Sequence, residues 1–234
     1  MNQEMVNTKN VQDFYKGLEI LKKGTAGRKG MMLVSGKPGT GKTFACQRHA
    51  VDSGAAYVRC RYVDTPRNLL HSIVAELGEE PRGFTGKLFT QAKEHLLEKP
   101  RLLILDEVDY LVANKGMIEI VRDLNDESNA PIIITGMEHI GKKLQRFPHL
   151  YDRIRAEVVF QLFEPKEIKT IASKICTATL DDSAIHYIHE KSGGKLRLTM
   201  DLFDLAERLA KQNRLKEITQ EHLKSSFEKK RVRS

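Results

Sequence analysis

The sequence predicts an α/β fold: a five-stranded parallel sheet with helices on both faces, followed by a small all-helical domain. Three observations lead there. Short apolar runs alternate with amphipathic stretches of helical period as far as Phe163. One of those runs, RLLILDE (101–107), is apolar on both faces, as a strand covered from both sides must be. Beyond Phe163 only helical periodicity remains.

The elements follow in order. In VQDFYKGLEILK (11–22), Phe14, Leu18 and Leu21 stand at helical spacing, and Gly24, Gly27 and Gly30 end that helix. MMLVSG (31–36) is a short apolar run entering a glycine-rich turn, hence a buried strand. TFACQRHAVDSG (43–54) is a helix stopped by Gly54, and AAYVRCR (55–61) is the second strand. Helical patterns at 67–77 and 86–98 lead to the strand at 101–107. A helix near 115–128, the strand PIIITG (131–136), a helix near 138–146 and the strand EVVFQLF (157–163) complete the α/β part. The helical part has breaks at Leu180–Asp182, Gly193–Gly194 and Lys216–Thr219. The expected division is therefore 1–163 and 164–234, the latter ending in a basic tail.

Composition narrows the class. Hydrophobic residues make up 40% and charged residues 30% of the 234, which fits a globular chain and excludes a disordered or fibrous one. No apolar run approaches the ~18 residues of a membrane span, and MNQEMVNTKN has no apolar signal core, so a cytoplasmic protein is expected. Cys46, Cys60 and Cys176 are odd in number and lack C-x-x-C spacing, which reads as reduced thiols. His186 and His189 have no acidic or cysteine cluster to complete a metal site. The net charge of +8 resides in the ends: residues 1–29 hold six Lys/Arg against three Asp/Glu, and residues 211–234 hold eight against three. Basic ends on a balanced body suit contact with a polyanion or a solvated tail.

The chemistry begins at GKPGTGKT (36–43), which matches G-x-x-x-x-G-K-[ST] between a predicted strand and a predicted helix. Glycines at 36, 39 and 41 let backbone N–H groups turn inward around phosphates, and the helix N-terminus adds its dipole. Gly36, Lys37, Pro38, Gly39, Thr40, Gly41, Lys42, Thr43 and Phe44 form the expected nucleotide cradle. Within it Lys42 would reach the β- and γ-phosphates and Thr43 would hold Mg²⁺. Asp106, at the end of a central strand, would hold the same ion, and Glu107 would polarise a water. That acidic pair favours hydrolysis over group transfer, so the expected cofactors are ATP and Mg²⁺.

Together, the phosphate loop, LLILDE, the α/β body and the helical domain after it resemble an AAA+ ATPase over residues 10–230. The resemblance implies further roles: Thr135, ending PIIITG, as the sensor-1 residue beside the γ-phosphate, and Arg153 (with Arg155 as the alternative) as an arginine finger reaching a neighbouring subunit's ATP. In KSGGKLRLTMDLFDLA (191–206), Arg197 takes the sensor-2 position. A finger implies a homo-oligomer, as a ring or a helical filament. The run TGMEHIGKKLQRFPHLYDRI (135–154) further resembles the target-selecting ATPases of DNA transposition, the B protein of Mu-like phages and its transposon relatives. That implies duplex DNA and a transposase as partners. Only about 25 residues precede the first strand, so the helix-turn-helix region of the Mu protein is not expected. DNA contact would fall to Arg61, Arg67, Lys115, Lys142 and Lys143, which would touch phosphates rather than bases. Trp is absent and aromatics are few, which disfavours a single-strand stacking platform. The alternatives are a replication initiator or helicase loader, and a secretion-associated ExeA-like ATPase with no DNA role.

Overall fold

The computed structural model describes residues 6–24 and 27–231, with backbone alone for 226–231. The two compact units group Gln12–Gly36 with Lys42–Phe160, and Met1–Val11 with Lys37–Gly41 and Gln161–Ser234.

The first unit holds α1 (Lys9–Lys23) from Gln12 onward, β1 (Met31–Gly36), α2 (Lys42–Ser53), β2 (Ala56–Arg59), α3 (Pro66–Glu76) and α4 (Thr85–Glu98). It continues with β3 (Leu103–Asp106), α5 (Lys115–Ser128), β4 (Ile132–Thr135), α6 (Ile140–Leu144), α7 (Pro148–Tyr151) and β5 (Ile154–Phe160). The five strands are parallel, in the order β2-β3-β4-β1-β5. The strand alternation in the sequence thus resolves into the expected sheet.

Alternate strand residues serve the two faces. Met31 and Leu33 of β1, Leu103 and Leu105 of β3, and Ile132 and Ile134 of β4 pack in one core with Leu69 and Ile73 of α3, Leu96 of α4 and Leu124 of α5. Met32 and Val34, Ile104 and Ile133 pack in the other, beneath Phe14, Leu18 and Leu21 of α1 and Ala45, Cys46 and Ala50 of α2. Each fully buried Leu or Ile contributes about 1.5–3 kcal/mol, and helices on both faces are what make strands of continuous apolar residues stable.

β5 departs from expectation by starting three residues before EVVFQLF. It is an edge strand, so Arg155, Glu157 and Val159 are exposed while Ala156, Val158 and Phe160 are buried. A search for apolar runs overlooks the polar half of such a strand. The four-residue α7, begun by Pro148, was also too short to leave a period.

The second unit contains α8 (Pro165–Ile175), α9 (Asp182–Ser192), α10 (Leu196–Asn213) and α11 (Gln220–Arg231). Ile168, Ile171, Ile185, Ile188, Phe203 and Leu223 meet in its core. Glu164 and Glu167 form a capping box at the start of α8, and the Asp181 carboxylate accepts from the Ala184 N–H at 2.7 Å to start α9. Two of the breaks between helices are more ordered than loops: β6 (Thr179–Leu180) and β7 (Glu217–Ile218) pair in parallel. Two-residue strands carry no periodicity to detect.

The tip of the phosphate loop, Lys37–Gly41, and the N-terminal residues group with this second unit rather than with the sheet. Asn10 is the reason for part of it: its buried side-chain amide donates to the Gln161 carbonyl (2.8 Å) and the Thr40 carbonyl (3.4 Å) and accepts from the Gln161 N–H (2.9 Å). No helix of the described residues is long and apolar enough to cross a membrane.

Candidate functional site

β1, β3 and β4 lie side by side and end at the same edge of the sheet, so Gly36, Asp106 and Thr135 come together from distant parts of the sequence. β1 sits where the strand order reverses, between β4 and β5, which is the position at which parallel α/β sheets open a crevice for ligand.

The phosphate loop leaves β1 at Gly36 and runs into α2. Gly39 and Gly41 have φ of 83° and 94°, conformations that a side chain resists, and this turns the loop into a cradle. The Lys42 ammonium folds back and donates to the Gly36 carbonyl at 2.7 Å. Burial lowers the Lys42 pKa, and the nearby Asp106 carboxylate partly opposes that. Lys37 and Pro38 are exposed at the tip, and Phe44 is half-exposed on the first turn of α2.

Asp106 is the hub. It is buried, and both carboxylate oxygens are used. Oδ2 accepts from the Thr43 hydroxyl at 2.9 Å and from the Tyr57 hydroxyl at 2.7 Å. Oδ1 accepts from the Thr135 hydroxyl and from the Glu107 N–H, the latter at 3.0 Å. A buried carboxylate fully satisfied by donors keeps one orientation. A hydroxyl and a carboxylate side by side at the mouth of a phosphate cradle are the hard oxygen donors that suit Mg²⁺.

Glu107 has φ 61° and ψ 42°, the left-handed region, which is uncommon for a residue with a side chain and marks a backbone held by its surroundings. Its N–H is held by Asp106 and, at 3.3 Å, by the Thr135 hydroxyl. The carboxylate is gripped from the other side: Arg59 Nε and Nη2 donate to its two oxygens at 3.1 and 2.8 Å. While this pair stands, two of the Glu107 carboxylate's acceptor positions are taken. The Arg59 side chain is largely exposed, so solvent screens the pair despite its two bonds. Arg59→Ala is expected to raise basal ATP turnover several-fold in a phosphate-release assay, because the carboxylate is set free; an unchanged or lower turnover in a folded variant contradicts this role.

Neither Arg59 nor Tyr57 stood out in the sequence. Both face the acidic pair because β2 is hydrogen-bonded to β3, with Arg59 opposite Asp106. Strand order is not written in periodicity. A cation ending one strand and an acidic pair ending the next was the only signal available.

The structure brings together Lys42, Thr43, Asp106, Glu107 and Thr135, and places the other expected residues elsewhere. In the second unit, the Leu196 N–H at the start of α10 donates to the Gly39 carbonyl at 2.7 Å, and Arg197 is the next, exposed residue. Arg153 and Arg155 lie at the opposite end of β5 from Phe160, which pairs with Gly36. Seven strand residues put Arg153 about 20 Å from its own phosphate loop. There its guanidinium grips Asp126 of α5 through two bonds, 3.0 and 2.9 Å.

Arg61, Arg67, Lys115 and Lys142 are exposed on segments that follow β2, β3 and β4, at the phosphate-loop end of the sheet. Lys143 is there too, but paired with Asp109 at 3.2 Å. The last residues of the basic tail, 232–234, and residues 1–5 lie outside the described residues.

With this geometry in view, comparison with known proteins places the chain. The family described as "AAA domain" matches residues 25–144, a span that includes the phosphate loop, Asp106, Glu107 and Thr135. The chain belongs to this family. It is an ATPase of the AAA+ class.

Over 206 residues it is 29% identical to the ORC1-type DNA replication protein 3 of Sulfurisphaera tokodaii, covering 76% of this chain and 53% of that protein. Over 130 residues it is 33% identical to a potential ATP-binding protein of Staphylococcus aureus, covering 51% of this chain and 47% of that one. The chain thus spans about half the length of the curated relatives it matches. Among solved structures it is similar to the Aeropyrum pernix ORC1 protein in complex with DNA, with a TM-score of 0.70 and 18% identity over 97% of this chain and 66% of that one. At that identity the likeness is one of AAA+ fold.

Proposed function

We propose that this chain is a Mg²⁺-dependent ATPase that assembles with copies of itself on duplex DNA, in the manner of a replication initiator or helicase loader, in a cytoplasmic setting. The observation that carries the reading is the Asp106 hub, which joins the phosphate loop through Thr43 to Thr135 and Glu107. Nothing about a merely structural carboxylate asks for a phosphate cradle on one oxygen and a second carboxylate on the next residue.

The loop amides and Lys42 bind and orient the phosphates of ATP. Thr43 and Asp106 would hold Mg²⁺, which when bound supplies charge neutralisation on the phosphate oxygens. Glu107, once clear of Arg59, orients the attacking water and takes its proton. Thr135 keeps Glu107 and Asp106 in register. Arg153 faces away from this site, a placement that suits action on a neighbouring copy's nucleotide. Arg197 adjoins the loop tip through the start of α10.

The DNA half of the proposal is supported by the ORC1-type relative, which favours replication over transposition. The transposition reading is the second choice: the run that suggested it forms α6 and α7 and delivers Arg153, and a transposase would then be the partner. An ATP-dependent mobility shift of random duplex DNA tests both against a role without DNA. The expected result is binding with ATP that weakens at least about tenfold between about 50 and about 200 mM salt, as phosphate contacts require. Binding that ignores ATP or salt contradicts it. In electron microscopy on long duplex, a continuous helical filament favours the transposition reading, and discrete assemblies favour the initiator.

A further inference from the structure

A cavity of about 470 Å³ in the first unit lies at the end of the sheet away from the phosphate loop. Arg28, Lys29, Arg153 and Arg155 line it against two acids, Asp126 and Asp152. The cavity is built, not incidental. Asn125, buried on α5, donates to the carbonyls of Lys29 (3.1 Å) and Ala130 (2.8 Å). The Asn129 side chain accepts from the Lys29 N–H at 2.8 Å and donates to the Gly27 carbonyl at 3.1 Å. These bonds fix the segment before β1 against the end of α5, with Arg28 exposed beside Arg153. Gly30 leaves the space that Arg155 crosses: a Cβ there would lie 2.6 Å from the Arg155 side chain.

In this cationic setting the Arg153 guanidinium is already occupied. Asp126 takes both edges of the Arg153 guanidinium, the same planar fork that a phosphate would take. We propose that Asp126 is a latch that withholds Arg153 until the polyphosphate of a neighbouring copy's nucleotide displaces it. The proposal rests on the reading of Arg153 as a residue that acts between copies. The pair is partly exposed, so solvent screens even this two-bonded grip and a more highly charged anion can compete for it. A polyphosphate carries more charge and meets Arg28, Lys29 and Arg155 as well, so exchange is favourable only when a neighbour is docked. Asp126 is thus a positioning residue that keeps the isolated chain idle.

The test uses two variants of the whole 234-residue chain, each silent on its own. An Arg153→Ala chain keeps its ATP site and lacks the finger; a Glu107→Gln chain keeps the finger and cannot hydrolyse. Titrating the second into a fixed amount of the first and measuring phosphate release reports the supply of free finger. Adding Asp126→Asn to the Glu107→Gln chain is expected to move the half-maximal concentration down by up to about fivefold, the factor that an exposed ion pair allows. Asp126→Glu, which keeps the carboxylate, should stay near the parent. Asp126→Ser repeats the test should Asn disturb the fold, with thermal melting as the check. Restoration at an unchanged or higher concentration overturns the latch alone. No restoration with any donor, Asp126 intact or not, overturns the action of Arg153 between copies and the latch with it.

Discussion

Glu107→Gln is expected to lower ATP turnover by about a hundredfold or more, the contribution of a positioned general base, while ATP binding persists. The geometry separates the two effects. On the proposed reading, phosphate binding belongs to the loop, Lys42 and Thr43 rather than to the Glu107 side chain. The Glu107 N–H remains to hold Asp106 and Thr135, so the hub survives the substitution. On the proposed reading, what disappears is the carboxylate that orients the attacking water. The amide also loses the charged pairing with Arg59, so the two changes can be told apart: Arg59→Ala frees the base, and Glu107→Gln removes it. Phosphate release and equilibrium binding of a fluorescent ATP analogue, measured on the same preparation, check this. Turnover within a few-fold of the parent contradicts the assignment of Glu107, and loss of binding assigns it to the cradle instead.

The second large effect is at Arg153. Arg153→Ala is expected to lower turnover by on the order of a thousandfold, as loss of an arginine finger does, with ATP affinity nearly unchanged. A residue about 20 Å from its own phosphate loop cannot stabilise charge there. On the proposed reading its effect passes through a second copy. Arg155, two residues on, is exposed on β5 and lines the same cavity, so Arg155→Ala is the comparison that decides between the two. A large loss at Arg155 with none at Arg153 moves the finger two residues along. Small effects at both contradict a shared site.

What could be read from the sequence follows from the physics of each signal. β1, β3 and β4 announced themselves because strands buried on both faces need continuous apolar residues. The phosphate loop and the Asp106–Glu107 pair were legible because glycine spacing and an acidic strand end have few other uses. β5 was displaced because an edge strand hides half its residues among polar ones. Arg59, Tyr57 and Asp126 were invisible for a different reason. Each acts through a partner at least 27 residues away, and those partnerships depend on which strand and helix lie side by side. Local patterns place the elements along the chain; packing decides which side chains meet. The resemblance to transposition ATPases rests on the short single-module layout and on the run at 135–154, in which buried Thr135, Ile140, Leu144 and Leu150 alternate with exposed residues.

The central claim is that ATP is hydrolysed at a site made by two copies of this chain, and mixing the two silent variants tests it most directly. Glu107→Gln and Arg153→Ala proteins are combined with ATP, Mg²⁺ and random duplex DNA, and phosphate release is followed. The predicted result is that the mixture regains turnover that neither protein has alone. A mixture as silent as its components, with both variants folded and binding ATP, would contradict it.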